Sequence, residues 1–153
     1  DEYSCIYCDS LNSGVICEVV MNKHIEKAME LRDNPDVHYN CAQSILCAYA
    51  DELGLDQDTA FNLGFNFGSG MKNGGTCGVV TGGLMVLGLK GINNVLLLNE
   101  FRKRIMDNHG GLINCVDLLR VNKENGGVKK LHCDGMIKEA IEIIDDIVSR
   151  ETL

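Results

Sequence analysis

Apolar residues along this chain recur at three- and four-residue spacing and seldom alternate, a pattern that predicts helices rather than strands. From Met21 to Arg32, Ile25, Ala28, Met29 and Leu31 carry the apolar side, with Glu and Lys between them, and Asn34-Pro35 stops the run. Asn40 reads as the N-cap of a helix from Cys41 through Leu53, closed by Gly54. Asp56 caps a third helix that runs into Gly68-Ser69-Gly70. A glycine-rich loop then leads to Thr76, the expected cap of a helix from Cys77 to Leu89. That segment is apolar all round, the mark of a buried central helix, and its glycines let neighbouring backbones come close. A fifth helix covers Asn93 to Asn108. A short helical turn follows around residues 114–119, the polar stretch from Asn122 to Lys130 reads as loop, and the last helix runs from about Leu131 to Ser149. Its stripe is the cleanest in the chain: Cys133, Met136, Ile137, Ala140, Ile141, Ile144, Ile147 and Val148. The expected fold is an all-α, single-domain bundle of five to six helices with a buried glycine-rich central helix.

The first twenty residues break the pattern. They show neither helical nor strand period, and Met21 reads as a natural start. Residues 1–20 are therefore expected to form a peripheral N-terminal arm or upstream extension, and residues 21–153 the helical domain.

Length and charge narrow the class. The 153 residues suffice for one continuous core without disulfide support. The formal charge is −8, and all of the acidic excess lies in residues 1–100; such a surface repels phosphate backbones, which argues against nucleic acid as a partner. The longest uncharged apolar-rich stretch, Gly74 to Leu89, is 16 residues and too rich in glycine to span a bilayer, so no membrane insertion is expected. No secretion signal is visible, and the expected location is cytoplasmic.

Eight cysteines are the unusual feature: Cys5, Cys8, Cys17, Cys41, Cys47, Cys77, Cys115 and Cys133. With long apolar helices supplying a core, thiols in such a chain bind metal, do redox work or pack as small hydrophobes. Cys41, Cys77, Cys115 and Cys133 each sit close to an expected helix start, behind Asn40, Thr76, Asn114 and His132. A thiol there meets unpaired backbone N–H groups and the positive end of the helix dipole, which favours the thiolate and predicts a lowered pKa. For any single one of them, packing is the commoner role; the repeated context favours a shared centre.

From Met21 onward the chain resembles the family named for a C-GCAxxG-C-C cysteine pattern and labelled redox-active. The resemblance is carried by Asn40-Cys41-Ala42-Gln43, Gly54-Leu55-Asp56, Gly64-Phe65-Asn66-Phe67-Gly68, Gly75-Thr76-Cys77-Gly78-Val79-Val80-Thr81-Gly82-Gly83, Cys115-Val116-Asp117-Leu118-Leu119 and Cys133. Val79 stands where the family pattern has alanine. The resemblance implies a redox or cluster role for Cys41, Cys77, Cys115 and Cys133. Two mechanisms suit four gathered thiolates: an iron–sulfur cluster, most simply [2Fe–2S], or thiol–disulfide exchange with a partner protein. A closed Cys₄ zinc site, or plain packing in a non-catalytic helical interaction module, fits the same residues. The separations of 36, 38 and 18 residues contain no Cys-x-x-Cys, so spacing does not choose among them. Neither the redox partner nor the oligomeric state is written in the chain.

The other candidates are weaker. Cys5-x-x-Cys8 with Cys17 and His24 could form a Cys₃His zinc set, although a loose arm is the favoured reading. Cys47, about 120° round the helix from Cys41, reads as core. His38 and His132 flank two of the cysteines and could tune a thiolate, while His109 suits a helix end. Arg102-Lys103-Arg104 reads as a solvated face, or else as a docking patch for an electron-transfer partner. The loop from Gly68 to Gly75 lacks the Gly-Lys-Ser/Thr ending of a phosphate loop, and Lys72 lies inside it.

Overall fold

A computed structural model of the chain describes residues 22–152. The arm expected over residues 1–20, with Cys5, Cys8 and Cys17, lies outside the described residues. Seven α-helices and no strand occur among those described: α1 (Lys23–Arg32), α2 (Cys41–Ala50), α3 (Gln57–Phe65), α4 (Gly78–Leu89), α5 (Val95–Asp107), α6 (Cys115–Glu124) and α7 (Lys129–Glu151). The all-α expectation holds, with one correction to the helix count. The segment read as a short turn and then loop is the ten-residue helix α6, and α7 begins at Lys129. The polar residues that suggested a loop instead decorate the outer face of α6, where Arg120 pairs with Asp117 and with Glu124 at one-turn spacing.

The core forms where the apolar stripe of α7 meets α2 and α4. Ile137, Ala140, Ile141, Ile144 and Ile147 are buried against it, as are Ile45, Leu46 and Tyr49 from α2 and Val79, Val80, Val86 and Leu87 from α4. Fully burying one such aliphatic side chain is worth roughly 1.5–3 kcal/mol, so this seam dominates the favourable side of folding. Helices α2 and α4 approach very closely, because a Cβ on Gly82 would stand 3.1 Å from Ala42 Cα and one on Gly78 3.2 Å from Cys41 Cβ. These two glycines, one helical turn apart, bring the start of α2 against the start of α4.

The cap of α2 is unusually complete. Asn40 Oδ1 accepts from Gln43 N at 2.8 Å, Gln43 Oε1 accepts from Asn40 N at 2.9 Å, and the two close a capping box. Asn40 Nδ2 also donates to the carbonyls of Gly64 and Phe65, which ties the end of α3 to the start of α2.

Between α3 and α4 the backbone makes a left-handed turn. Ser69, Gly70, Met71 and Lys72 all have φ between 52° and 62°, and Gly75 N donates to Gly70 O at 2.9 Å. Three of these four residues are not glycine, so the turn carries strain of about 1–3 kcal/mol per residue that the surrounding structure must offset. Beyond it, Thr76 and Asn114 form an isolated antiparallel bridge, with Cys77 N donating to Ile113 O at 2.9 Å and Cys115 N to Gly75 O at 2.7 Å. That bridge pins the segment entering α4 to the segment entering α6.

Candidate functional site: a cavity lined by four cysteines

The close approach of α2 to α4, the 76–114 bridge and the packing of α7 bring four helix segments to one place. Cys41, Cys77, Cys115 and Cys133 all line a single cavity of ≈ 20 Å³. Cys41 is the first residue of α2 and Cys115 the first of α6, while Cys77 itself is the N-cap of α4, one residue later than the cap expected at Thr76. Cys133 stands on the second turn of α7, so the helix-start reading fails for it and His132 is no cap. All four thiols, and Cys47, are free. Ser69, at the left-handed turn, and His132 are the two polar side chains other than thiols at the cavity wall; Leu119 and Met136 are among its apolar lining.

The electrostatics are unequal, and they correct the expectation of four lowered pKa values. Cys41 and Cys133 are neighbours at this cavity wall and act on each other's charge. Contact with the Cys41 thiol, against the cost of burial and with the charges of Arg32 and Lys129, lowers Cys133 to about 7. The same contact, burial and the negative charge that Cys133 and Cys77 carry when ionised push Cys41 well above the usual thiol value. Burial, opposed by a backbone hydrogen bond from Val79, pushes Cys77 up to about 12, and burial and the Cys133 charge raise Cys115. A helix dipole contributes about 0.3–1 kcal/mol, whereas shutting a thiolate away from water costs more. Burial therefore wins at Cys77 and Cys115, and at Cys41 it adds to the effect of Cys133.

Two residues missed by sequence reasoning tune the pair. Arg32 Nε donates to Asp134 Oδ1 at 2.7 Å, and Arg32 Nη1 donates to the Tyr39 carbonyl at 2.8 Å. Lys130 Nζ donates to Asp134 Oδ2 at 2.8 Å and to Asp33 Oδ1 at 2.9 Å. Asp134 is 8% exposed and its charge opposes that of Arg32 at Cys133. The signal was available: Asp134 lies three and seven residues before Ile137 and Ile141, on the apolar stripe, where a carboxylate needs a partner.

The remaining candidates separate clearly. His132 is held below the usual imidazole range by burial and by His109, whose ring lies 6.3 Å away and whose Nε2 meets Glu139 Oε2 at 2.7 Å. His38 is exposed and does not line the cavity. Cys47 is 1% exposed and belongs to the core, where burial pushes its thiol up to about 11. His24, the suggested zinc ligand, is engaged otherwise: Nδ1 meets Asp145 Oδ2 at 3.0 Å, Nε2 faces Glu52 Oε2 at 3.0 Å, and the ring stacks on Tyr49. Lys103 pairs with Asp107, and Arg104 with Glu100 and Asp146, so much of the basic run is neutralised at the surface.

A family model described as "Putative redox-active protein (C_GCAxxG_C_C)" matches residues 39–147, which include all four cavity cysteines. The chain belongs to this family. No curated protein and no solved structure matches it. The match agrees with the resemblance carried by the cysteine motifs, and it names neither a cluster nor a disulfide.

Whether a metal suits this C_GCAxxG_C_C site is a question of donor geometry. Among the described residues, no group of three or more His, Cys, Asp or Glu side chains is arranged to hold a metal ion. A cavity of ≈ 20 Å³ is also little larger than the roughly 10–15 Å³ that one water requires. The four sulfurs as they stand do not fit a [2Fe–2S] cluster or a Cys₄ zinc ion, both of which need four thiolates converging on metal. Among the described residues no helix is long and apolar enough to cross a membrane.

Proposed function

We propose that this protein is a dithiol–disulfide redox protein in which Cys133 is the attacking thiolate and Cys41 the resolving thiol. The observation that carries the reading is that Cys41 and Cys133 are neighbours at one cavity wall, with Cys133 lowered to about 7 and Cys41 raised. A thiol whose pKa lies near ambient pH is the best attacking nucleophile, since lower values lose nucleophilicity and higher ones leave too little thiolate. In the oxidised form the two sulfurs share a bond, two electrons having passed to the oxidant. Cys77 and Cys115 stay protonated near neutral pH and take no part in the first step.

The test is oxidation of the reduced protein with diamide, followed by peptide mapping. A Cys41–Cys133 disulfide is the expected product. If another pair, or none, is found, the assignment of roles fails; stoichiometric iron in protein isolated without oxygen would replace the reading with the cluster mechanism.

A further inference from the structure

The shape of the cavity bears on which oxidant reaches the thiol pair. Thiol–disulfide exchange requires the attacking sulfur, the attacked sulfur and the leaving sulfur to come nearly into line, each substrate sulfur bringing its own carbon. Such a group is many times larger than the space beside Cys133. The cavity, ≈ 20 Å³, holds one water or a molecule only slightly larger. Its wall is apolar apart from the thiols, Ser69 and His132, and the side chains of Leu119 and Met136 take up part of the space around the thiols. The turn that carries Ser69 is tied through Gly75 to the start of α6, so this side of the wall is braced by backbone hydrogen bonds.

We infer that the oxidant taken by this site is a small hydroperoxide, with hydrogen peroxide the best fit, and not a peptide or protein disulfide. The inference rests on the dithiol reading above. A hydroperoxide offers its terminal oxygen first, with only a hydrogen attached, and so needs little more room than water. The thiolate sulfur of Cys133 attacks that oxygen and the O–O bond breaks; the departing hydroxide takes up the proton that the thiol had released to solvent and becomes water, and Cys133 becomes a sulfenic acid. The Cys41 thiol then attacks the Cys133 sulfur, the S–S bond forms, and the sulfenic oxygen leaves as a second water. In sum, two thiols and one hydrogen peroxide give one disulfide and two waters. An external dithiol, dithiothreitol in the experiment, returns the disulfide to the starting state.

The experiment compares single-turnover oxidation of the reduced protein by hydrogen peroxide, cumene hydroperoxide and glutathione disulfide, followed as loss of the Cys133 thiol. Hydrogen peroxide is expected to react faster than either bulky oxidant by about tenfold or more, the scale on which a pocket rejects excess volume. Leu119→Ala, which removes a half-buried side chain from the wall, should raise the cumene hydroperoxide rate more than the hydrogen peroxide rate and so narrow the gap. Cys41→Ala should accumulate a Cys133 sulfenic acid that dimedone traps. Equal rates for the three oxidants, faster reaction with glutathione disulfide, or a gap indifferent to Leu119→Ala would overturn the inference. If diamide still gives the Cys41–Cys133 disulfide in that case, the dithiol reading survives without it; if no oxidant gives that disulfide, both fall.

Discussion

Arg32 Nε donates to Asp134 Oδ1 at 2.7 Å, one residue along α7 from the Cys133 thiol, and the two charges act on that thiol in opposite directions. Removing each in turn should therefore shift the chemistry in opposite senses. Arg32→Met takes away a stabilising positive charge and should move the pH midpoint of Cys133 alkylation above about 7; Asp134→Asn should move it below. Arg32→Met also leaves a buried carboxylate with only the half-exposed Lys130 for company, at a cost of about 3 kcal/mol in urea unfolding. Shifts of the same sign in both variants would mean that packing, not charge, governs the thiol.

The influence of Cys41 on Cys133 is open to the same measurement. Iodoacetamide labelling of the reduced protein should show one cysteine titrating near 7, identified by mass spectrometry as Cys133. In Cys41→Ala the thiolate loses the neighbour that lowers it, so the midpoint should rise toward the ordinary thiol value. Cys47→Ser is the control. It should leave the titration unmoved while costing about 1–3 kcal/mol of stability, because it places an unpaired hydroxyl in the core.

Much of this architecture was legible because local chemistry and tertiary packing agree. Asn40 before Cys41, with Gln43 three residues on, reads as a cap and is one; the Ile137–Ile141–Ile144 stripe reads as core and is buried. Helix α6 was undercounted because Asn122, Lys123 and Glu124 look like loop when taken singly, and only the ion pairs of Arg120 reveal an outer helical face. The left-handed turn was invisible, since nothing in Ser69, Met71 or Lys72 requires positive φ; it is imposed by the hydrogen bonds of Gly75 to Gly70 and to Cys115. At the site, the motif order picked out the four cysteines that line one cavity. It could not rank their acidities, which depend on burial and on Arg32, a residue 101 positions from Cys133.

Asn40 couples the fold to the site, and two substitutions separate its duties. Asn40→Ala loses the cap as well as the bonds to Gly64 and Phe65, for an expected cost of about 2–3 kcal/mol. Asn40→Asp keeps an acceptor for Gln43 N but cannot donate to the two carbonyls, so its cost should be smaller. Both should slow closure of the Cys41–Cys133 disulfide, because Cys41 is the residue the cap places. Urea unfolding gives the first quantity, and diamide oxidation under native conditions gives the second. Disulfide closure at the unaltered rate in Asn40→Ala would show that Cys41 is held by the α2–α4 contact alone.

Asp145, twelve residues beyond Cys133 on α7, accepts from Tyr49 Oη at 2.7 Å and Asn22 Nδ2 at 2.8 Å and meets His24 Nδ1 at 3.0 Å. Burial pulls the His24 pKa down, but contacts with Asp145 and Glu52 outweigh it, and the net value is raised above 6.5. Burial raises Asp145 and Glu52, yet their hydrogen bonds prevail: Asp145 is lowered, and Glu52, paired with Lys90, His24 and Lys23, falls to about 2. A raised histidine contributes stability that is complete below its unfolded value and is lost as pH climbs through the folded one. A lowered carboxylate contributes stability that is complete above its unfolded value and is lost as pH falls through the folded one. The thermal midpoint should accordingly be highest between roughly pH 4.5 and 6.5 and decline on both sides. His24→Gln removes the titrating group of the alkaline limb, so above pH 6.5 its decline should be shallower than that of the unaltered protein. The acid limb, which belongs to Asp145 and Glu52, should persist. An alkaline decline equally steep in both proteins would assign it to some other group and reduce the His24 cluster to a packing contact.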